Sequence, residues 1–281
     1  MLQHAAIGRD RENGARAAGI GRIGMRRGQG ESMRLEGRRI LVVGASSGLG
    51  RAAGLAAAKE GAQVGFAARR MERVAAAADE AGHGAFPLRC DVRDPESCRR
   101  VVAEAINRME GLDAVVFAPG ISTFGPIEEI EAEAWRAVLE TNLIGASLVL
   151  NAAIGALEAS RGKAVLISSI VIDDSPPRPQ QAAYVVSKRA LEALIEAWQA
   201  EHHAVGFTSI ASGDALTEFA QDQDFERLGP IVRRWQELGY AYGRMMTDEA
   251  VAEQVVNALC ARETLRRIAI TPHYATSSDA E

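Results

Sequence analysis

The chain has few cysteines, few aromatic residues and little excess charge. Cys90, Cys98 and Cys260 are the three thiols among 281 residues, and their spacing fits neither a zinc site nor a redox pair. Three reduced thiols in a cytoplasmic protein are therefore expected. The formal net charge of −5 offers no overall attraction to nucleic acid. The sequence also shows no apolar run approaching the roughly 18 residues that span a bilayer, so no membrane partner is expected.

Residues 1–32 differ in composition from the remainder. They hold six arginines against three acids, many glycines and little periodicity. They lack the apolar core of a secretory signal. This composition favours a disordered extension over the alternative of a nucleic-acid-binding arm. A folded domain is predicted over 33–275, with a short tail over 276–281.

From Met33 onward, strand-like and helix-like segments alternate. Strands are predicted at 39–43, 62–68, 86–90, 112–117, 164–168, 206–210 and 267–271. Helices are predicted at 49–60, 71–82, from 94 onward, at 132–159 and at 182–201. This alternation predicts a doubly wound α/β Rossmann fold, in which helices cover both faces of a seven-stranded parallel sheet within a single domain.

A glycine-rich loop joins the first predicted strand to the first predicted helix. It consists of Gly44, Ala45, Ser46, Ser47, Gly48, Leu49 and Gly50. Glycines let a backbone approach a pyrophosphate, and a helix N-terminus supplies N–H donors and a partial positive charge. A purely structural tight turn is the alternative, but the strand before the loop and the helix after it favour dinucleotide binding.

Tyr184 and Lys188 stand four residues apart in the predicted helix 182–201, so they share one face. A tyrosine has a pKa of roughly 10, and a nearby cation lowers that value. The pair is therefore a candidate for proton transfer. Two solvated side chains on a helix are the alternative.

The order of these motifs resembles the short-chain dehydrogenase/reductase family. That family places GxxxGxG after its first strand and Tyr-x-x-x-Lys in the helix after its fifth strand, and the resemblance covers roughly residues 35–275. It implies that Ser169, with Ser168 as second choice, hydrogen-bonds the substrate carbonyl. It also implies that Tyr184 transfers the proton as general acid or base.

The resemblance assigns two further catalytic roles. Lys188 would lower the pKa of Tyr184 and hold the nicotinamide ribose. Asn142, in the pattern Trp135-x6-Asn142-x2-Gly145, would fix a water that links Lys188 to solvent. A solvent-facing asparagine in a long helix is the alternative for Asn142.

Cofactor choice depends on the end of the second predicted strand. An acid there bonds the ribose 2′-hydroxyl, whereas an arginine accommodates a 2′-phosphate. Arg69 lies there, with no acid before Glu72, so NADP(H) is preferred and NAD(H) remains possible. The full predicted cofactor site consists of Gly44, Ser46, Ser47, Gly48, Leu49, Gly50, Arg69, Asp91, Val92, Gly120, Tyr184, Lys188, Gly213 and Thr217.

Three segments depart from the family pattern. The usual Asn-Asn-Ala-Gly after the fourth strand reads Phe117-Ala118-Pro119-Gly120, so only its last glycine is kept. The interval from Ser169 to Tyr184 is two residues longer than usual, and its proline-rich part, 173–179, is expected to rim the substrate mouth. The usual Pro-Gly after the sixth strand reads Ser212-Gly213.

Residues 214–245 form a predicted insertion before the last helix. A lid over the active site and a helical pair packed on the body are both open interpretations. A lid would indicate a partly apolar substrate. The aromatic residues of the insertion are Phe219, Phe225, Trp235, Tyr240 and Tyr242.

The expected activity is hydride transfer between NADP(H) and a small-molecule carbonyl or secondary alcohol. One alternative is a non-catalytic dinucleotide-binding sensor or scaffold of the same fold. Another is a sugar-nucleotide epimerase, which the glycine spacing and chain length disfavour. The resemblance also implies a homodimer or homotetramer formed through the two long helices at 132–159 and 182–201.

Overall fold

A computed structural model describes residues 33–215 and 225–273. The predictions for 1–32 and 276–281 concern residues outside these ranges. The described residues form a seven-stranded sheet with the order β3-β2-β1-β4-β5-β6-β7, in which every neighbouring pair is parallel. The strands are β1 (Arg39–Val43), β2 (Gln63–Ala68), β3 (Phe86–Arg89), β4 (Ala114–Phe117), β5 (Lys163–Ser169), β6 (Gly206–Ser212) and β7 (Arg267–Ile270). This confirms the predicted doubly wound fold.

Eight α-helices are described, and most follow a strand as the alternation predicts. The third begins where Asp94 accepts a hydrogen bond from the backbone of Glu96 and Pro95 occupies the first helical position. The helices are α1 (Gly48–Lys59), α2 (Met71–Ala81), α3 (Pro95–Met109), α4 (Ala132–Leu139), α5 (Gly145–Ser160), α6 (Ala182–Glu201), α7 (Phe225–Glu237) and α8 (Asp248–Cys260).

Alternate residues of each strand face opposite sides of the sheet and build two apolar layers. Ile40 and Val42 of β1 pack in one layer with α1, α2 and α8. Leu41 and Val43 pack in the other layer with α3, α5 and α6. Both described ranges belong to one compact unit that starts at Met33.

The predicted helix 132–159 is not a single regular helix. One turn of π-helix, Glu140–Ile144, separates α4 from α5. By length and composition alone, the helical stretch Ala132–Ser160 could cross a membrane, so the expectation that the chain lacks such a stretch was wrong. The mean hydropathy of its most apolar window is 1.6. In the fold this stretch packs against α3 and α6, and 33% of its most apolar window is buried.

The strand order reverses between β1 and β4, since β1 pairs with β2 on one side and β4 on the other. At such a point, the loops at the carboxyl ends of the strands diverge and leave a crevice. The glycine-rich turn follows β1, and the Ser168–Ser169 pair ends β5, so both lie along this edge.

Candidate active site

A cavity of about 500 Å³ opens at the carboxyl edge of the sheet. Its walls include the glycine-rich turn at one end and Ser169, Tyr184 and Lys188 deeper in. All predicted site residues within the described ranges line it except Asn142, which lies directly behind it. Thr217 lies outside the described residues.

Two glycines of the turn have no room for a side chain. Gly44 has a φ of +84°, and a Cβ there would lie 2.7 Å from the backbone nitrogen of Pro119. A Cβ at Gly50 would lie 2.4 Å from the carbonyl oxygen of Gly44. The turn is therefore drawn against both α1 and the β4 loop, and it leaves a bare backbone surface beside the start of α1 that suits a phosphate group.

Arg70 contacts the glycine-rich turn directly. Its Nη2 donates to Ser46 Oγ at 2.9 Å and to Ser47 Oγ at 2.8 Å, and its Nε donates to Ser46 Oγ at 3.2 Å. Arg69 alone was predicted from the sequence as a 2′-phosphate ligand, although both arginines line the cavity. The position of Arg70 next to Arg69 was visible in the sequence, but its contacts with Ser46 and Ser47 depend on the fold.

Asp91 and Val92, which the resemblance implies lie on either side of an adenine ring, both line the cavity. Asp91 Oδ2 accepts from Arg93 Nη2 at 2.7 Å. The hydrogen bonds from Arg93, with a smaller contribution from the charge of Arg69, lower the pKa of Asp91 to about 2. Val92 packs tightly on Gly145, where a Cβ would approach it to 2.9 Å. The carboxylate is therefore ionised at neutral pH, and the positive charges of Arg93 and Arg69 stabilise it.

The hydroxyl group of Ser169 is hydrogen-bonded to Tyr184. The hydroxyl of the neighbouring Ser168 is buried and has no partner among the described residues. Successive residues of a strand point to opposite faces, so only one of these two serines can meet Tyr184. The structure brings Ser169 to the tyrosine, in agreement with the predicted order of preference.

Burial raises the pKa of Tyr184 to about 12. The hydrogen bond from Ser169 works against this rise, the carboxylate of Asp214 adds to it, and the charge of Arg178 opposes it. Lys188 Nζ lies 5.7 Å from the centroid of the Tyr184 ring. The expected lowering of the tyrosine pKa by Lys188 is therefore not found, because desolvation outweighs the attraction of nearby cations.

Lys188 is 3% exposed, and its Nζ donates to the carbonyl oxygen of Ile167 at 2.8 Å. Burial lowers its pKa to about 8, and the charge of Glu192, one turn further along α6, works against that change. The ammonium group is therefore retained at neutral pH but is close to losing its proton.

Asn142 lies in the π-helical turn and is fully buried. Its Oδ1 accepts from the backbone nitrogen of Ile121 at 2.8 Å, and its Nδ2 donates to Ile121 O at 2.9 Å and Ser187 Oγ at 2.9 Å. A Cβ at Gly120 would lie 3.6 Å from Lys188 Nζ. Asn142 thus ties the β4 loop to α6 beside the lysine, which excludes the solvent-facing alternative.

The cavity wall also contains a buried cation that was not among the predicted site residues. Arg178, within the proline-rich loop 173–179, is 2% exposed and forms ion pairs with Asp174 and Asp214. Its guanidinium carbon lies 5.4 Å from the ring centroid of Trp235 in α7. An arginine between the predicted serine and tyrosine was a visible signal, but Asp214 and Trp235, which help to enclose it, are distant in sequence.

Helix α7 forms part of the cavity wall. Leu228, Val232 and Trp235 lie on one face of this helix and line the cavity. The predicted insertion therefore contributes to the pocket through one face of α7 and through Met245. Phe219 and the side chain of Phe225 lie outside what the structure describes.

A cavity at the switch point of a doubly wound sheet, bordered by a glycine-rich turn, defines a nucleotide-binding α/β protein. A family model described as short chain dehydrogenase matches residues 38–227. The chain belongs to this family of oxidoreductases, whose members use NAD(P) cofactors.

Named relatives agree with this assignment. The chain is 32% identical over 206 residues to 11-beta-hydroxysteroid dehydrogenase A of Arachis hypogaea, which covers 71% of this chain and 58% of that protein. It is 33% identical over 189 residues to 3beta-hydroxysteroid dehydrogenase of Mediterraneibacter gnavus, covering 66% and 68%. The chain thus spans less than two thirds of the length of the plant protein.

Among solved structures, the fold is similar to a short-chain type dehydrogenase/reductase from Mycobacterium marinum. The TM-score is 0.75 at 29% sequence identity, over 85% of this chain and 96% of that chain.

Proposed function

We propose that the protein transfers a hydride between NADP(H) and a carbonyl compound or secondary alcohol, with Tyr184 as general acid or base. The observation that carries this proposal is the hydrogen-bonded pair of Ser169 and Tyr184, placed with Lys188 at the inner wall of the cavity. A phenol within hydrogen-bonding distance of a substrate oxygen can exchange a proton with it, and the serine fixes the position of that oxygen.

The described residues fit a dinucleotide. Gly44 and Gly50 provide the bare turn for the pyrophosphate, and Arg69 and Arg70 provide cations at the end of β2. The cavity extends from these residues to Tyr184, as an extended two-nucleotide ligand requires. When bound, the nicotinamide supplies or accepts the hydride.

The protein's own residues then handle the proton and the geometry. With its pKa raised, Tyr184 keeps its proton at neutral pH and can donate it to a carbonyl oxygen that gains negative charge. Ser169 donates a second hydrogen bond to that oxygen. Lys188, anchored on Ile167 O, lies behind the tyrosine, and Asn142 fixes the adjoining loop.

The activity test follows the absorbance of NADPH with a panel of ketones and aldehydes. We expect Tyr184→Phe to lower kcat by about 10² to 10⁴, the usual contribution of a general acid. Tyr240→Phe is the matched control, because its hydroxyl bonds Pro176 O rather than the Ser169 group. Turnover by Tyr184→Phe that equals turnover by Tyr240→Phe would reject the mechanism. A non-catalytic dinucleotide-binding protein would turn over no member of the panel.

The preference for NADP(H) is a separate proposal that involves both arginines. Arg69 and Arg70 offer guanidinium groups to a 2′-phosphate, and an arginine–phosphate contact is charge-assisted. We expect Arg69→Met and Arg70→Met each to weaken NADPH about tenfold or more and NADH by much less. Arg99→Met, in an exposed pair with Glu96 on α3, is the control. Equal binding of NADPH and NADH by the unaltered protein would refute this preference.

We further propose that the two long helical segments pair between copies, as the resemblance implied. Ile144 is 48% exposed and Val186 is 46% exposed, and α6 packs beside the π-helical turn. Burial of such side chains against a second copy would remove apolar area from water. Light scattering should therefore give a dimer or tetramer, which Val186→Glu dissociates. A monomeric unaltered protein would contradict this.

A further inference from the structure

Arg178 is the centre of a buried polar cluster at the mouth of the cavity. Its Nε donates to Asp174 Oδ2 at 2.5 Å, its Nη1 to Asp214 Oδ1 at 2.9 Å, and its Nη2 to Tyr240 O at 2.7 Å. Its planar group also lies over the ring of Trp235. These contacts join the loop after β5, the end of β6 and the segment after α7.

This arginine is not available to bind an anionic substrate. Its side chain is 1% exposed, and all three of its nitrogen atoms donate to protein oxygens. A substrate carboxylate would have to displace Asp214 or Asp174, and would then meet the carboxylate that it displaced. The guanidinium group therefore fixes the positions of the carboxylates of Asp174 and Asp214.

Asp214 is the member of the cluster that faces the reaction site. It lines the cavity, and its side chain remains 30% exposed. Its carboxylate raises the pKa of Tyr184, which indicates that its field reaches the phenol. Its Oδ1 is used by Arg178, whereas Oδ2 has no donor within residues 33–215 and 225–273. Within the cluster of Asp174, Arg178 and Asp214, two carboxylates face one guanidinium, so the cluster has a formal charge of −1, and Arg178 leaves Oδ2 of Asp214 unused.

Most of the other side chains at this end of the cavity are apolar, although Ser122 and Gln181 also line it. The apolar side chains come from four different segments. They are those of Phe124, Val171, Leu228, Val232, Trp235 and Met245. Such walls favour a substrate body without charge.

We propose that Asp214, held by Arg178, is a specificity-determining hydrogen-bond acceptor that selects uncharged carbonyl substrates bearing a hydroxyl group on an apolar body. The same carboxylate excludes substrates that carry a carboxylate or phosphate. This inference rests on the proposed carbonyl reduction and names the substrate class for that site. It follows from the acceptor at Oδ2, the net negative charge of the cluster and the apolar surroundings.

The test uses three probes on one carbon skeleton: cyclohexanone, hydroxycyclohexanone and oxocyclohexanecarboxylate, with the 3- and 4-substituted isomers of the last two. For the wild type, we expect kcat/KM with NADPH to be about tenfold higher for the better hydroxy ketone than for cyclohexanone. The keto acids should fall at least about tenfold below cyclohexanone. Asp214→Asn keeps an acceptor for Arg178 but removes the charge, so it should raise the keto acids towards cyclohexanone.

Asp173→Asn is the matched control. This aspartate lies one residue before Asp174, but it pairs with Arg267, is 55% exposed and does not line the cavity. Asp173→Asn should leave the kcat/KM ratios between the probes unchanged. The inference would be overturned if the kcat/KM ratios between probes in Asp214→Asn stay within about twofold of the wild-type ratios. It would also be overturned if the wild type prefers the keto acids. If Asp214→Asn does not fold, the wild-type ratios decide alone.

A binding measurement separates this inference from the proposed activity. Ligand-observed NMR titration of the same probes into Tyr184→Phe with NADPH reports selection without turnover. If Tyr184→Phe binds the hydroxy ketone more tightly than the keto acid but the wild type turns over neither, the activity is rejected and the role of Asp214 is supported. Turnover without any such ranking would support the activity and reject the role of Asp214.

Discussion

Replacement of Lys188 by methionine should change how stability depends on pH. Lys188 is buried, and its pKa is lowered from 10.5 to about 8 in the folded protein. Between pH 8 and pH 10.5, the unfolded chain therefore holds a proton that the folded protein has lost. Stability rises with pH wherever the unfolded state binds more protons, so Lys188 should contribute a gain in stability across this window.

The size of the gain follows from the two pKa values. A pKa that differs by one between the folded and unfolded states corresponds to about 1.36 kcal/mol, so the complete gain is about 3 kcal/mol. From pH 7 to pH 9.5, the gain amounts to about 2 kcal/mol. Tyr184 acts in the opposite direction, because its folded pKa of about 12 lies above its unfolded value, but its effect begins near pH 10.

Urea unfolding at pH 7.0 and pH 9.5, at one protein concentration, measures this gain. The wild type should gain about 2 kcal/mol more between the two pH values than Lys188→Met does. Lys59→Met, at the exposed end of α1, should behave like the wild type. Equal changes in the wild type and Lys188→Met would refute the conclusion that burial of Lys188 carries a desolvation cost.

Three further substitutions test the packing around the site. Asp94→Ala removes the cap of α3 and should cost about 1 kcal/mol in urea unfolding. Gly50→Ala should abolish NADPH binding by calorimetry, because its Cβ would meet Gly44 O, whereas Gly155→Ala, with nothing within 4 Å of its Cβ, should bind normally. Arg178→Met leaves two carboxylates without their cation and should cost about 3 to 5 kcal/mol, measured in the same way as for Asp94→Ala.

The succession of strands and helices was accessible from the sequence because short apolar runs alternate with helical segments over most of the chain. The first strand, 39–43, was predicted with the bounds that the structure has, as was the helix 182–201. Other ends differ by a few residues, since element termini depend on local hydrogen bonds rather than on periodicity. The strand 163–169 extends one residue further at each end than predicted, which places Ser169 on the strand itself.

The π-helical turn at Glu140–Ile144 was not predicted, because nothing in the apolar pattern distinguishes it from α-helix. Its consequence is specific, since it positions the side chain of Asn142 to bond both backbone groups of Ile121. The motif identified the asparagine, but the partners that define its role are 21 and 45 residues away in sequence.

Arg70 and Arg178 were overlooked for a related reason. Both are charged residues in loops, where sequence patterns favour a solvated side chain. Arg178 is instead enclosed because two acids and the face of Trp235 converge on it from three separate segments. A buried charge requires such partners, and they become visible only when the topology is known.

The position of Asp214 connects the proposed substrate selection with the proposed proton transfer. A carboxylate that attracts a hydroxyl group also disfavours ionisation of the nearby phenol, so Asp214 adds to the effect of burial in keeping Tyr184 in the protonated form that the proposed reduction uses. Lys188 does not oppose this, because its ammonium group is directed to Ile167 O rather than to the phenol oxygen. Burial accounts for most of the rise in the pKa of Tyr184, Asp214 adds to it and Arg178 opposes it, so the proposed acceptor for the substrate also strengthens the hold of the phenol on its proton.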